Sequence, residues 1–315
     1  MRFDAPEDDR PRRQTVVIPT GARMEYGTKM YCHMLVEDLH LQIIPYSLKR
    51  AAAIRGSIKT DKKEDESVVA AMLQMDSARD ASSSIVDFIR EAAQFLGFFG
   101  DAQYEIARAG KKTTLYHIPA GSFRSEESGI VQDVPAQAAQ AYNLPNQISV
   151  PQEDVFVLEM PEPLGGKAGH QKRLQLLAAA SDQSLPPEFA MAEWNPDAKD
   201  RVFDMRAHQK NFELQLAGLT RDIGWAARGA FDKQFLSSYA AHRHIKFAWA
   251  CALIREEIVE SLNLLLEKLS SDLGFRSSVE VAGLPTSTDL ESCLARLSAG
   301  ELTEAAAYRL AGLLT

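Results

Sequence analysis

Ser82-Ser83-Ser84-Ile85-Val86-Asp87-Phe88-Ile89-Arg90-Glu91-Ala92-Ala93-Gln94-Phe95-Leu96-Gly97-Phe98-Phe99-Gly100-Asp101-Ala102-Gln103-Tyr104-Glu105-Ile106 is the stretch on which the reading of this chain turns. Ile85, Phe88, Ile89, Ala92, Phe95, Leu96 and Phe99 recur at helical spacing and make a wide apolar stripe, the pattern of a helix buried on a sheet. The three serines supply the predicted cap, with Ser84 as the capping residue, and Gly100 the predicted stop. Ala102–Ala109 and Thr113–Ile118 then alternate around Gly110-Lys111-Lys112, which predicts a β-hairpin with Tyr104 and Ile106 facing one way and Gln103, Glu105 and Ala107 the other. Further on, Ile148-Ser149-Val150 and the polar turn Pro151-Gln152-Glu153-Asp154 introduce a returning strand, Val155–Met160. The expected class is α+β, a small mixed or antiparallel sheet packed with helices. Nothing in this stretch places reactive side chains at catalytic spacing, which points to a scaffold more than to an enzyme.

The flanks extend this frame. Residues 1–14 are charged and proline-bearing and predict a mobile arm, with Arg10-Pro11-Arg12-Arg13 as a solvated tail. Thr15-Val16-Val17-Ile18 reads as a short strand. Lys29–Ile44 reads as a helix ended by Pro45, whose ring cannot continue it. Leu48–Ile58 stays open between helix and strand, residues 59–66 read as a solvated loop or helix start, and Ser67–Met75 as a short helix. Pro119–Asn146 predicts loop, a short helix and one strand at Gly129–Val131. The strongest break is Pro161-Glu162-Pro163-Leu164-Gly165-Gly166-Lys167, so the expected organisation is an α+β domain over 15–160, a linker over 161–200 and a helical domain over 201–315. Helices are predicted over Gln171–Ala180, Pro186–Trp194, Val202–Ile223 and, longest, 235–273, stopped by Gly274. A strand at Val279–Val281 and helices at Ser287–Leu297 and Thr303–Leu313 complete the chain.

Composition narrows the function. A net charge of -8 over 315 residues opposes a broad grip on phosphates, although it suits a surface past which DNA slides. Cys32, Cys251 and Cys293 are far apart and lack a CxxC pair, so neither disulfides nor structural zinc is expected. Cys32-His33 with His40 lies in an apolar stripe and reads as an inert buried thiol. Phe247–Ile254, the longest apolar run, falls well short of the ~20 residues a membrane span needs, and the acidic start does not read as a signal peptide, so a soluble intracellular chain is expected. Gly165-Gly166-Lys167-Ala168-Gly169 lacks the GxxxxGK[ST] spacing of a phosphate loop. His242 and His244, two residues apart, diverge on a helix and do not share a metal. His170-Gln171-Lys172-Arg173 reads as a solvated helix start. No cofactor or metal is expected.

Taken in order, several segments resemble the portal protein family of tailed bacteriophages, of the HK97 type. Phe88–Ile106 resembles that family's glycine-ended helix and first strand of the wing sheet, Leu115-Tyr116-His117-Ile118-Pro119 its next strand, and Val150–Leu158 its strand, proline, acidic pair, strand element. Ile254-Arg255-Glu256-Glu257-Ile258-Val259-Glu260-Ser261-Leu262-Asn263 is similar to its long helix, and Leu297-Ser298-Ala299-Gly300-Glu301-Leu302-Thr303 to its closing element, with Glu304 and Arg309 an approximate match. The chain is short for the family, leaving little between Pro161 and Val202 for a stem and clip. The resemblance implies a non-enzymatic subunit of a dodecameric ring at a capsid vertex of the virion, assembled in the host cytoplasm. Its partners would be the major capsid protein, a head-tail adaptor, a terminase motor and the double-stranded DNA packaged and ejected through the ring, with no membrane. It makes Arg228, Lys233, His242, Arg243 and His244 the residues expected near the DNA channel. The alternative is an intracellular α+β adaptor that binds another protein through its helical half.

Overall fold

The computed structural model describes residues 11–15, 29–45, 54–73, 80–110, 112–120, 122–182, 205–229 and 236–313. The predicted strand residues 16–18, the predicted helix Pro186–Trp194 and Lys233 lie outside them. The fold is α+β, as read from the sequence, with small antiparallel sheets and one long helix, Ser237–Lys268. Two compact units are present. One gathers the described residues within 1–23, 50–159 and 257–283; the other gathers those within 24–49, 160–256 and 284–315. The contiguous division expected from Pro161 therefore gives way to interleaved units, with the long helix contributing to one as far as Glu256 and to the other from Glu257.

In the first unit the helix Ala81–Phe99 buries Ile85, Phe88, Ile89, Ala92 and Leu96 and ends at Gly100, whose φ of 79° is the left-handed value that glycine adopts without strain. Its cap is Asp80, whose carboxylate accepts the Ser83 N–H, and not the expected Ser84, which lies buried within the helix. Strands β1 (Arg55–Thr60), β2 (Asp101–Ala109), β3 (Lys112–Ile118), β4 (Phe123–Glu126), β5 (Gly129–Asp133), β6 (Gln147–Pro151), β7 (Val155–Glu159) and β8 (Ser277–Ala282) form three sheets, ordered β1-β8, β3-β2-β7 and β4-β5-β6. The hairpin β2-β3 pairs Ile106 with Leu115, and β7 returns along the other edge of β2, pairing Phe156 with Tyr104. Of the open segment Leu48–Ile58, residues 48–53 lie outside the described residues; from Arg55 the chain forms β1, because it pairs with β8 far along the chain. The charged run after it starts the helix Lys63–Met72, and β4 was not foreseen.

Strand β2 departs from the expected alternation. Gln103, Glu105 and Ala107 are buried as well as Tyr104 and Ile106. At Glu105 the cover is the segment 11–15, which packs against the hairpin and is not the solvated tail expected there. The Glu105 carboxylate accepts the Thr15 N–H at 2.9 Å and the Thr15 hydroxyl at 2.6 Å, and also the Gln14 N–H. Arg13 donates to the His117 carbonyl at 3.3 Å and lies 5.4 Å over the Tyr116 ring. A buried carboxylate is tolerated because donors replace its lost water.

The second unit is helical. Met30–Ile43 packs on Gly166–Asp182, where Cys32 donates to the Leu174 carbonyl. Ile245 and Ala252 of the long helix pack with Leu290 and Cys293 of the helix Ser287–Ser298 and Ala307 of the helix Glu304–Leu310. Thr286 and Asp289 form a reciprocal capping box at the start of Ser287–Ser298.

Two measurements probe the first unit. Tyr104 is buried with its hydroxyl unbonded, so Tyr104→Phe is expected to raise unfolding free energy by about 1 kcal/mol in a urea titration. His117 stacks on Phe95 at 3.4 Å, and burial, with the Arg13 charge behind it, pushes its pKa down to about 4. The unfolded chain takes up this proton near pH 6.5 and the folded one only near 4, so stability falls as pH drops through that window. The loss is on the order of 3 kcal/mol at its acid end, and His117→Phe is expected to remove that part of the slope.

Candidate functional site

The second unit carries an open cleft of about 440 Å3. Lys172 and Arg173 enter it from the helix Gly166–Asp182, Arg221 and Asp222 from the turn after the helix Met205–Leu219, and Lys246 from the long helix. Gly169 and Gly218 keep its wall low. Four cations thus face one carboxylate in a chain whose net charge is -8.

Its floor is Arg173, 5% exposed, so the expected solvated helix start at His170–Arg173 is corrected. His170 and Arg173 lie in the second turn of the helix and are buried there, while Lys172 between them stays exposed. Arg173 donates to the Leu164 carbonyl at 3.0 Å, lies 3.1 Å from His170 Nδ1 and pairs with Asp222. Its Nε–H is buried without an acceptor, which costs about 1–3 kcal/mol. Lys172 and Arg221 are exposed and Lys246 half-buried, and none of the three pairs with a carboxylate among the described residues.

The turn that presents Arg221 and Asp222 is held by Arg243, one helical turn before Lys246. Arg243 is 2% exposed; it donates to the Ala217 carbonyl at 2.9 Å, to the Thr220 hydroxyl at 3.0 Å and to the Trp225 carbonyl. Ala217 lies in the last turn of its helix, where carbonyls lack intrahelical partners and the helix dipole is negative, so a buried guanidinium is matched there. Gly224, at φ 71°, lets the chain pass Arg243, since a Cβ would sit 2.4 Å from the Arg243 carbonyl oxygen.

This placement corrects Arg243 as a DNA-channel residue: its charge is consumed inside the fold. Arg228 is also engaged internally, donating to Asp38 at 2.9 Å and pairing with Glu37. Asp38 accepts the Trp225 indole N–H at 2.8 Å as well. Arg228 and Ala227 both hold left-handed φ values, of 58° and 43°, a strain these contacts offset. His244 bonds through Nδ1 to the Tyr308 hydroxyl at 2.8 Å. His242 is half-buried beside Tyr239, and burial, then the charges of Lys246 and Arg243, lowers its pKa. Arg255 and Glu256 clamp the start of Ser287–Ser298. Arg255 donates to the Pro285 carbonyl, while Glu256 accepts the Ser287 N–H at 2.7 Å. The sequence marked this pair only as part of a long-helix motif.

Chemically the cleft offers charge and hydrogen-bond donors, and no Ser, Thr, Cys or His side chain is among the described residues that line it. The three cysteines are buried, and burial pushes the Cys251 thiol up to about 12. Among the described residues no three His, Cys, Asp or Glu side chains are grouped to hold a metal ion, and no helix is long and apolar enough to cross a membrane. No protein-family model and no curated protein matches this chain.

Arg243 and Lys246 make a matched pair for test. Arg243→Ala leaves buried carbonyls without donors and is expected to cost about 3 kcal/mol in urea unfolding. Lys246→Gln is expected to stay within about 0.5 kcal/mol of the parent chain.

Proposed function

We propose that the chain is a structural subunit of a portal-type ring at a phage capsid vertex, through which double-stranded DNA is packaged and ejected. The observation that carries this reading is the β3-β2-β7 sheet fed directly by the helix that ends at Gly100. That helix, the hairpin, the Pro151 turn with its acidic pair and the returning β7 follow the order on which the resemblance was drawn. The 32-residue helix Ser237–Lys268, carrying Arg255 and Glu256, agrees with the later part of that order. In this role the major capsid protein, a head-tail adaptor and a terminase motor are the partners. ATP hydrolysis belongs to the motor, and the subunit itself catalyses nothing.

A closed ring needs a heterologous interface, two different patches on each subunit that complement one another. Large apolar side chains left in water are suited to such patches: Leu236 is 78% exposed, Leu264 61% and Leu310 52%. The same leucines would serve the rival adaptor, which needs only one partner surface. Light scattering after gel filtration, with negative-stain images, separates the two. The expected result is particles many times the 34.8 kDa subunit mass with a central hole. A monomer or dimer across the micromolar range overturns the ring and leaves the adaptor.

A further inference from the structure

We propose that the cleft of Lys172, Arg173, Arg221 and Lys246 binds phosphate groups. The cleft is built within one unit of one chain, so this goes beyond the ring and does not depend on it. Three observations carry it. Cations from three separate segments, the helix 166–182, the turn 220–224 and the long helix, converge on one depression while the rest of the chain is acidic. Like charges brought together without carboxylates repel one another, and a bound oxyanion relieves that repulsion. Only Asp222 stands among them, and it is engaged by Arg173, so Lys172, Arg221 and Lys246 retain their charge for a ligand.

The third observation lies at the floor. Arg173 is held by Leu164, His170 and Asp222, yet keeps one buried N–H, on Nε, without an acceptor. A fixed guanidinium beside more exposed cations is suited to a group with several acceptor oxygens. A lone carboxylate presents two oxygens and one charge, whereas a phosphate monoester presents three terminal oxygens and up to two charges and a nucleic-acid backbone repeats its singly charged diesters, and the open cleft admits a group that remains attached to a larger molecule. Phosphate reaches such a place either as a diester in a nucleic-acid backbone or as a small phosphorylated solute.

The test uses the full chain in whatever assembly it forms, at low ionic strength. Binding of inorganic pyrophosphate is followed by calorimetry and binding of a labelled duplex DNA by fluorescence anisotropy. Three proteins are compared: the parent, the triple variant Lys172→Gln, Arg221→Gln, Lys246→Gln, and a surface control that removes two exposed lysine charges from the other unit, Lys62→Gln with Lys63→Gln. The positions chosen leave Arg173 and its contacts intact, and thermal melting of each variant confirms folding. The expected result is a loss of roughly tenfold or more in affinity for the triple variant and little change for the control. If the ligand is a nucleic-acid backbone, duplex binding falls with pyrophosphate binding, and its salt slope drops by about 1 for each cation removed. If it is a small phosphorylated solute, pyrophosphate binding alone falls. Absence of binding to either probe, or equal losses in the triple variant and the control, overturns the proposal. None of these outcomes bears on particle mass, so the ring stands or falls separately.

Discussion

A guanidinium almost wholly withdrawn from water is the constraint on which the second unit depends. Arg243 can be buried only because carbonyl oxygens at the end of the helix Met205–Leu219 and at Trp225, with the Thr220 hydroxyl, surround it. That requirement sets the path of residues 217–225, obliges a glycine at 224 where the backbone crosses Arg243, and aims Arg221 and Asp222 away from the interior. One turn along the same helix, Lys246 escapes to the cleft. A structural cation and a solvent-facing one thus sit three residues apart with opposite uses.

The first unit meets the same problem with the opposite sign. Glu105 occupies the central strand of a three-stranded sheet, and its carboxylate is covered by residues 11–15, which bring two backbone N–H groups and a hydroxyl to it. The segment is tied down by hydrogen bonds and by Arg13 over the Tyr116 ring, so a charged, proline-bearing composition that alone suggests a solvated tail is ordered here. Both units, then, use a buried charge and nearby backbone dipoles to hold irregular chain in place.

Arginine and histidine near the start of the long helix look from sequence like a surface for nucleic acid. In the fold Arg243, Arg228 and His244 face protein groups, and the concentrated positive charge lies instead on Lys172, Arg221 and Lys246. The order of helix, hairpin and returning strand does not involve those side chains.

Local pattern by itself determined the helix Ala81–Phe99 and its stop at Gly100, the hairpin about Gly110, the returning strand after Pro151, the long helix, and the α+β class, since periodicity and glycine or proline punctuation act within a few residues. Tertiary structure decided the rest. Strand β1 exists because β8, more than two hundred residues away, supplies its hydrogen bonds; the cap fell to Asp80 because Ser84 was needed inside; His170 and Arg173 were drawn inward by Leu164 and Asp222. The cleft was illegible for the same reason: its cations come from three distant segments, and whether a charged side chain meets water or a carbonyl is settled only when those segments pack.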